Sequence, residues 1–361
     1  MKASVDAKTF YEAMKTVSGA IGRSQVPVLE RIRVDFLDGK CRLTVSDLNM
    51  WLIKEIPAAG DSFSFLFSDT ASVVRACRYY DGVLCVELLG EKDEMKVLLS
   101  AGGKSGEFSA EDEIMSPVCP SEKGRFFYTL DAPALLGRIT KVRYATAVNK
   151  SRPELVGVRF DGRHIWCVDG YRMAVNDDDG LIVERQFILP SYALMQLKVF
   201  AAGKAELLIG DKYAVFSAPG VRLVIRQLFR TDGLHVDKVI PNNSTENFSV
   251  ERKQFLDAVR YLEGCSRGKR EHTAVFDESR LFMRNGQHEY SATLKVNGNS
   301  SILFAVDIPH LKEALEHLPD ENPVRISVTS AHGPVILRSG AADTALIMPV
   351  RVRDEWRRDA A

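Results

Sequence analysis

The chain repeats one pattern three times, and this repetition limits its fold more than any other feature of the sequence. Three stretches each read as a short strand that runs into a helix, namely SVDAKTFYEAM from Ser4, TLDAPALLGRI from Thr129 and SVERKQFLDAV from Ser249. They recur at intervals of about 120 residues, which is the length of a small domain. The spacing predicts three similar domains in tandem.

The helical part of each stretch has apolar residues three and four positions apart, which is typical of a helix that buries one face. Asp131 followed by Pro133 is a favourable helix start, because a carboxylate caps the free N–H groups and proline fits the first turn. The apolar stripes are Phe10, Met14, Val17 and Ile21 in the first stretch, Leu135, Ile139 and Val142 in the second, and Phe255, Val259 and Leu262 in the third.

The downstream part of each third keeps the same order of elements. RVDFLDGKCRLTV, GVRFDGRHIWCV and AVFDESRLFMR each read as strand, tight turn and strand. A second helix and more strands follow, so each third consists of two β-α-β-β-β units. This pattern predicts an α+β fold with helices on one face of antiparallel sheets. Polar linkers at VCPSEKGR and PNNSTEN put the domains at residues 1–121, 125–242 and 246–361.

The composition favours a cytoplasmic protein without a metal or cofactor. Lys plus Arg and Asp plus Glu both total 48, so the zero net charge argues against a generally basic nucleic-acid binder, but not against a local basic surface. The six cysteines include no C-x-x-C pair, and the seven histidines lack metal-ligand spacing. MKASVDAKTF lacks the apolar run of a secretion signal, and no stretch reaches the roughly 18 apolar residues of a membrane span.

Several motifs in this order resemble the bacterial DNA polymerase III beta subunit family, the replicative sliding clamps. They are VSGAIGRSQVPVLERI, FLDGKCRLTVSDLNM, ELVGVRF, DGYRMAV, VDKVIPNN and LIMPVRV, and they span nearly the whole chain. The resemblance implies the DNA clamp fold, with three similar domains per chain and a head-to-tail homodimeric ring. Helices would line the hole around duplex DNA and sheets would lie outside. It also implies a non-catalytic processivity factor that tethers the DNA polymerase.

In this family a surface pocket takes short Leu/Phe-anchored motifs of partners, among them the DNA polymerase III alpha subunit and the clamp-loader delta subunit. An adaptable apolar surface with an aromatic rim suits such a peptide. The matching positions of this chain are Leu155, Val168, Gly170, Tyr171, Arg172 and Met173, then Leu234, Lys238 and Val239, and finally Leu346, Met348, Pro349, Val350 and Arg351.

The stretch CVDGYRMAV can be compared with its counterparts in the other two thirds. SDLNMWL around Asp47 and RNGQHEY around Asn285 also supply a turn, but only the middle third adds Tyr-Arg-Met. We interpret these three residues as one wall of the pocket, although Tyr171 and Met173 could instead cover a small core. Tyr171, Met173, Val168 and Leu234 replace residues more common in the family, and RDEWRRDAA continues past the usual end near Val352.

Basic residues recur on and after the predicted helices of all three repeats. A shared position in three repeats favours phosphate contacts, which would let a ring slide without reading bases. The candidate DNA-binding residues are Arg23, Arg75, Arg78, Lys141, Arg143, Asn149, Lys150, Arg152, Lys198, Arg267, Lys269 and Arg270.

Two residues match the ring-closing interface of the family. They are Phe108 in the first domain and Cys265 in the third, where the facing segment is less apolar than usual. Two alternatives to a replicative clamp stay open: an accessory clamp copy with restricted partners, and an enzyme or small-molecule binder on a duplicated α+β scaffold. GGKSG at Gly102 lacks the first glycine of a phosphate-binding loop, because position 98 is Leu98, and we interpret it as a hairpin turn.

Overall fold

The structure is a computed structural model. It describes all residues except 91–93, 149–151, 153–154, 202, 230–234, 242–245, 267–271, 286, 299–300, 321–322 and 353–361, and of residues 115, 237 and 246 it describes the backbone alone. The chain forms two compact units, Met1–Pro133 with Tyr192–Gln227 and Ala134–Ser191 with Leu228–Ala361. The boundaries of the three predicted domains stay a prediction.

The described residues of the first third form two α-helices and nine strands. They are β1 (Lys2–Asp6), α1 (Ala7–Ser18), β2 (Arg33–Leu37), β3 (Lys40–Ser46), β4 (Met50–Pro57), β5 (Ala59–Gly60), β6 (Phe63–Phe67), α2 (Thr70–Cys77), β7 (Val83–Leu89), β8 (Lys96–Ala101) and β9 (Lys104–Glu111).

Eight strands lie in the described part of the middle third, and its second helix continues as a 3-10 turn over Met195–Phe200. Its elements are β10 (Phe126–Asp131), α3 (Ala132–Val142), β11 (Gly157–Gly162), β12 (His164–Val168), β13 (Arg172–Asp177), β14 (Val183–Pro190), α4 (Ser191–Leu194), β15 (Lys204–Ile209), β16 (Tyr213–Ala218), β17 (Val221–Arg226) and the short helix α5 (Val236–Val239).

In the last third, the residues that the structure describes again form two helices and nine strands. They are β18 (Glu246–Val250), α6 (Arg252–Cys265), β19 (Thr273–Asp277), β20 (Arg280–Asn285), β21 (His288–Thr293), β22 (Val296–Gly298), β23 (Phe304–Asp307), α7 (Ile308–His317), β24 (Val324–Val328), β25 (Val335–Ser339) and β26 (Asp343–Ile347).

The same sheet topology occurs in each third. The first strand and the last three strands form one antiparallel set. The orders are β1-β7-β8-β9, β10-β15-β16-β17 and β18-β24-β25-β26. The strands between the two helices form a second antiparallel set, in the orders β6-β2-β3-β4, β14-β11-β12-β13 and β23-β19-β20-β21. The predicted pair of β-α-β-β-β units is therefore confirmed in all three repeats.

Neighbouring thirds join edge to edge through their sheets. The last strand of the middle third, β17, pairs with β4, and we call this pair the first junction. The last strand of the final third, β26, pairs with β13, and this is the second junction. The first junction, together with the pairing of β6 and β9 in the first third, makes a sheet of thirteen described strands. The second junction makes a sheet of nine, and a four-stranded sheet remains that ends at β21.

The apolar stripes predicted for the first helices lie in the core. Phe10, Met14 and Val17 of α1 are buried, as are the predicted residues of α3 and α6, whereas Ile21 lies beyond the end of α1 and is half-buried. An acidic side chain caps α1 and α6 at equivalent positions, because Asp6 accepts a hydrogen bond from the Thr9 amide and Glu251 accepts one from the Gln254 amide.

Candidate functional site

An apolar cluster at the second junction contains residues from three of the predicted stretches. Val168 ends β12, Met173 lies on β13, Val239 ends α5 and Leu346 lies on β26. These four side chains pack together, although they are far apart in the sequence. The other members of this docking cluster, as we call it, are Trp166, Val175, Val236, Ile240 and Ile336.

Strand register brings these side chains together. Met173 lies opposite Leu346 in the β13–β26 pair, and Leu346 lies opposite Ile336 in the β25–β26 pair. Residues opposite each other in antiparallel strands point to the same face, so the three form one row. Beyond the row, the Met348 amide donates a hydrogen bond to the Tyr171 carbonyl over 2.8 Å, which ties the turn to the C-terminal stretch.

The turn before β13 is held by one carboxylate. Asp169 Oδ1 accepts hydrogen bonds from the amides of Tyr171 at 2.9 Å and Arg172 at 3.0 Å. Gly170 has a φ of +98°, which other residues rarely adopt. The Tyr171 side chain is 68% exposed and Met348 is 44% exposed, so both form the accessible rim of the docking cluster.

Arg172 lies inward, and its guanidinium group is fully engaged. It donates to Asp169 Oδ2 over 3.0 Å, to a carboxylate oxygen of Glu313 and to the Tyr144 carbonyl over 2.9 Å. Burial by itself would lower the pKa of Arg172, but the hydrogen bonds and charges of Glu313 and Asp169 outweigh it and raise that pKa. Arg172 thus fixes the turn against α7 and is permanently charged.

Met173 is buried, with 1% of its surface exposed. Of the three residues interpreted as one wall of the pocket, Tyr171 is therefore the accessible one, and their joint role as a wall stays a prediction. Side chains alternate across a strand, and pairing of β13 with β26 directs Met173 into the docking cluster. Met173 thus packs within the docking cluster, whereas Tyr171 lies at its edge.

The remaining predicted pocket residues have varied environments. Val350 packs in another cluster, with Val275, Phe282 and Ala305, and its amide donates to the Ala305 carbonyl. Leu155 is half-buried and is not among the members of the docking cluster. Pro349 is half-buried, Lys238 and Arg351 are exposed, and Leu234 lies outside the described residues.

The structure adds residues to this site that the sequence did not single out. The His310 ring lies 6.2 Å from the Tyr171 ring, centroid to centroid, and Glu313 binds Arg172. Both belong to α7, which is so far from Tyr171 and Arg172 in the sequence that no local pattern indicated these contacts. Val236 and Ile240 could have been found, because they share helical spacing with Val239 inside the motif VDKVIPNN.

Most of the candidate DNA-binding residues in the described part of the chain are exposed, but Lys141 is half-buried and its ammonium group lies 2.9 Å from Asp343 Oδ2. Asp343 is buried, so Lys141 serves at least partly to neutralise it. Asn149, Lys150, Arg267, Lys269 and Arg270 lie outside the described residues. The exposed members are Arg23, Arg75, Arg78, Arg143, Arg152 and Lys198.

The two predicted interface residues are both half-buried. Phe108 lies on β9, where its ring meets the Phe67 ring edge to face at 6.5 Å. Cys265 ends α6, which packs beside β21. Gly102 and Gly103 have φ values of +56° and +75° in the β8–β9 turn, so the interpretation of GGKSG as a hairpin turn is confirmed.

All six cysteines are free thiols. Among the described residues, no group of three or more His, Cys, Asp or Glu side chains is arranged to hold a metal ion. No helix in the described part of the chain has the length and apolar character needed to cross a membrane.

Comparison with known proteins identifies the fold. A sliding clamp from Bacillus subtilis is 18% identical, with a TM-score of 0.85. A putative DNA polymerase III beta subunit from Eubacterium rectale is 14% identical at 0.87, and a DNA polymerase III beta subunit from Pseudomonas aeruginosa is 15% identical at 0.85. Each comparison covers 98% of this chain and 100% of the other chain. No family model and no curated protein sequence matches.

These likenesses define the class of fold, which is that of the DNA sliding clamps. Within that class, the matched structures include bacterial DNA polymerase III beta subunits, to which the sequence motifs also pointed. The predicted α+β clamp fold is thus confirmed over nearly the whole chain. At identities of 14 to 18% the likeness is one of fold.

Proposed function

We propose that this protein is a DNA sliding clamp, a non-catalytic processivity factor of the cytoplasm. Two chains close head to tail into a ring around duplex DNA and tether a DNA polymerase and other partners. The fold shared with bacterial DNA polymerase III beta subunits supports this proposal, as do the exposed basic residues that follow the helices. The partners are duplex DNA of any sequence, the polymerase alpha subunit and the clamp-loader delta subunit.

The observation that best supports a ring is that β9 and β21 each have an edge that is largely unpaired in the described part of the chain. At both junctions, the last strand of one third pairs with the hairpin strand of the preceding third. The first third contributes β9 to this role and the last third contributes β21. Among the described strands, β21 ends its sheet, and the outer edge of β9 is bonded to β6 and Ser68 only from Ser109 to Glu111. Pairing β9 of one chain with β21 of another would repeat the two junctions and close a dimer.

The ring is tested by retention on DNA. We expect a dimer by sedimentation that stays on nicked circular plasmid after loading and slides off the same plasmid once it is linearised. Blocking both ends of the linear plasmid with bound protein should restore retention. A chain that stays monomeric at high concentration, or is lost equally from circular and linear DNA, would contradict the proposal.

The docking cluster is the proposed site for partner peptides. Its buried floor of Met173 and Leu346 and its exposed rim of Tyr171 and Met348 suit a short peptide with Leu and Phe anchors. The small area suggests modest affinity.

The accessible rim is the part of this site to mutate. Tyr171→Ala with Met348→Ala should weaken binding of a labelled Leu/Phe-anchored polymerase peptide at least tenfold, measured by fluorescence anisotropy, while the melting temperature stays unchanged. Tyr79→Ala, which removes a similarly exposed tyrosine of the first third, is the matched control. Equal affinity of the double variant and the parent would place peptide binding elsewhere.

A further inference from the structure

A continuous groove crosses the sheet at the first junction, on the face that carries Trp51, Ile53 and Glu55 of β4. Three cavities of about 560, 390 and 490 Å³ lie along it. The first and second share Arg42, Ile53 and Cys119 as lining residues, and the second and third share Ser217 and Ala218. The three cavities therefore adjoin one another along the sheet.

Strand register gives the groove its direction and length. Thr44 pairs with Ile53, Ile53 with Arg222, Arg222 with Ser217, and Ser217 with Glu206, so these five side chains form a row across β3, β4, β17, β16 and β15. Four strand spacings of about 4.8 Å make the row about 19 Å long, which is the length of five or six residues of extended chain.

Two guanidinium groups and one carboxylate, those of Arg42, Arg222 and Glu55, line the middle of the groove. Glu55 is already bound by Arg42 at 2.7 Å and by Lys40 at 3.3 Å. Arg222 is half-buried and has no ion-pair partner among the described residues. The charges of both guanidinium groups act on the Cys119 thiol. Burial raises the pKa of this thiol, and the positive charges of Arg222 and Arg42 partly offset that rise.

One end of the groove has two exposed apolar side chains among its polar lining residues. Leu37 and Val118 both line the cavity of about 560 Å³, and they are 53% and 83% exposed. Exposed apolar residues grouped beside a concave surface are typical of an interaction site. The groove therefore combines apolar contacts at this end with an unpaired guanidinium group at its centre, which suits an extended ligand with apolar and acidic side chains.

The docking cluster at the second junction occupies the place in the fold that corresponds to the apolar row beside this groove. Trp51 corresponds to Met173, and Val224 and Val215 correspond to Leu346 and Ile336 in the register of the strands. At the first junction the linker covers this apolar row, since the Trp51 indole donates to the Pro117 carbonyl over 3.4 Å and Cys119 packs on the cluster. The groove runs beside that linker, in the next row of the sheet.

We propose that this groove docks an extended peptide segment of a protein partner that carries a carboxylate beside apolar side chains. The carboxylate binds Arg222 and the apolar residues lie along Ile53 and Val118. The site is separate from the docking cluster and does not require the ring, so one chain can hold two different peptides.

In the test, peptides are selected for binding to the full chain, in which Tyr171→Ala and Met348→Ala disable the docking cluster. The probe is a phage-displayed library of random ten-residue peptides, counter-selected on the same chain with Arg222→Glu. We expect enrichment of peptides with Asp or Glu among apolar residues. Synthetic copies of these peptides should bind the Arg222→Glu and Val118→Asp chains at least tenfold more weakly than the chain used for selection. They should also slow the alkylation of Cys119 by iodoacetamide, as measured by mass spectrometry.

Lys212→Glu is the matched control, because it makes the same charge change at an exposed lysine that does not line the groove. Val118→Asp alters a largely exposed side chain and keeps the test valid if Arg222→Glu fails to fold. The proposal is overturned if no acidic peptide is enriched, if the peptides bind the Arg222→Glu chain equally, or if Cys119 is not protected. Self-association that Arg222→Glu abolishes would assign the groove to a second copy and overturn it too.

Discussion

At the residue scale, the turns at Asp47 and Asp169 have the same hydrogen bonds and differ in one backbone position. Asp47 Oδ1 accepts hydrogen bonds from the amides of Asn49 and Met50. Asp169 Oδ1 accepts hydrogen bonds from the equivalent amides, those of Tyr171 and Arg172. The residue of positive φ is Gly170 in one turn and Leu48, with a φ of +71°, in the other. A side chain at such a φ costs about 1 kcal/mol or more.

We therefore predict opposite effects of substitution at these two positions. Leu48→Gly should raise the free energy of unfolding by up to about 1 kcal/mol, because relief of backbone strain exceeds the added freedom of the unfolded chain. Gly170→Ala should lower it by about 1 kcal/mol, since no atom lies within 4 Å of the added Cβ and only the backbone is strained. Urea unfolding measures both, and a loss of stability in Leu48→Gly would contradict the strain argument.

At the element scale, the strand β9 has one edge in the sheet and one edge available. The Ala110 amide donates to the Met95 carbonyl of the neighbouring chain segment, and groups along a strand alternate in direction. The amide of Glu107 therefore points away from β8. It is free to pair with β21 of a second chain in the proposed ring.

We predict that Glu107→Pro raises the dimer dissociation constant at least tenfold, because proline has no N–H to donate across the interface. Glu107→Ala is the control, since it removes only the exposed ion pair with Lys96, which stabilises little. Analytical ultracentrifugation measures both variants, and the melting temperature shows whether the monomer is intact. Equal dissociation constants would exclude β9 as the pairing edge.

At the scale of the whole molecule, the zero net charge means that the proposed DNA binding depends on where the cations lie. Arg143 is exposed, whereas Lys141 two residues earlier is paired with buried Asp343. The exposed cation can release counterions from DNA, but the paired one has less charge to offer. We therefore assign Arg143 as a candidate DNA contact and Lys141 as part of a structural ion pair.

We predict that Arg143→Gln reduces the slope of log affinity against log salt by about one for each chain, whereas Lys141→Gln leaves it nearly unchanged. Lys141→Gln should instead lower stability, because it leaves the buried Asp343 carboxylate without its cation. Titration of a short duplex over a range of salt concentrations measures the slopes. Equal slopes for the two variants would refute this assignment of roles.

Local patterns in the sequence determined the repeat, the helix faces and the turns. Phe10, Met14 and Val17 share a face because of helical periodicity, and the Asp-Gly pair at Asp169 turns the chain through bonds to its own neighbours. These features depend on residues a few positions apart, so they could be read without the structure. The repeat then gave the fold class, because each third had to build the same units.

Only the tertiary structure decided which edges pair and which side chains meet. Register between β13 and β26 put Met173 in the floor and left Tyr171 on the rim, and α7 brought Glu313 to Arg172. The groove at the first junction likewise depends on strands of two repeats. A one-residue shift in register would reverse every side chain, and no local pattern fixes a register between strands that lie more than a hundred residues apart.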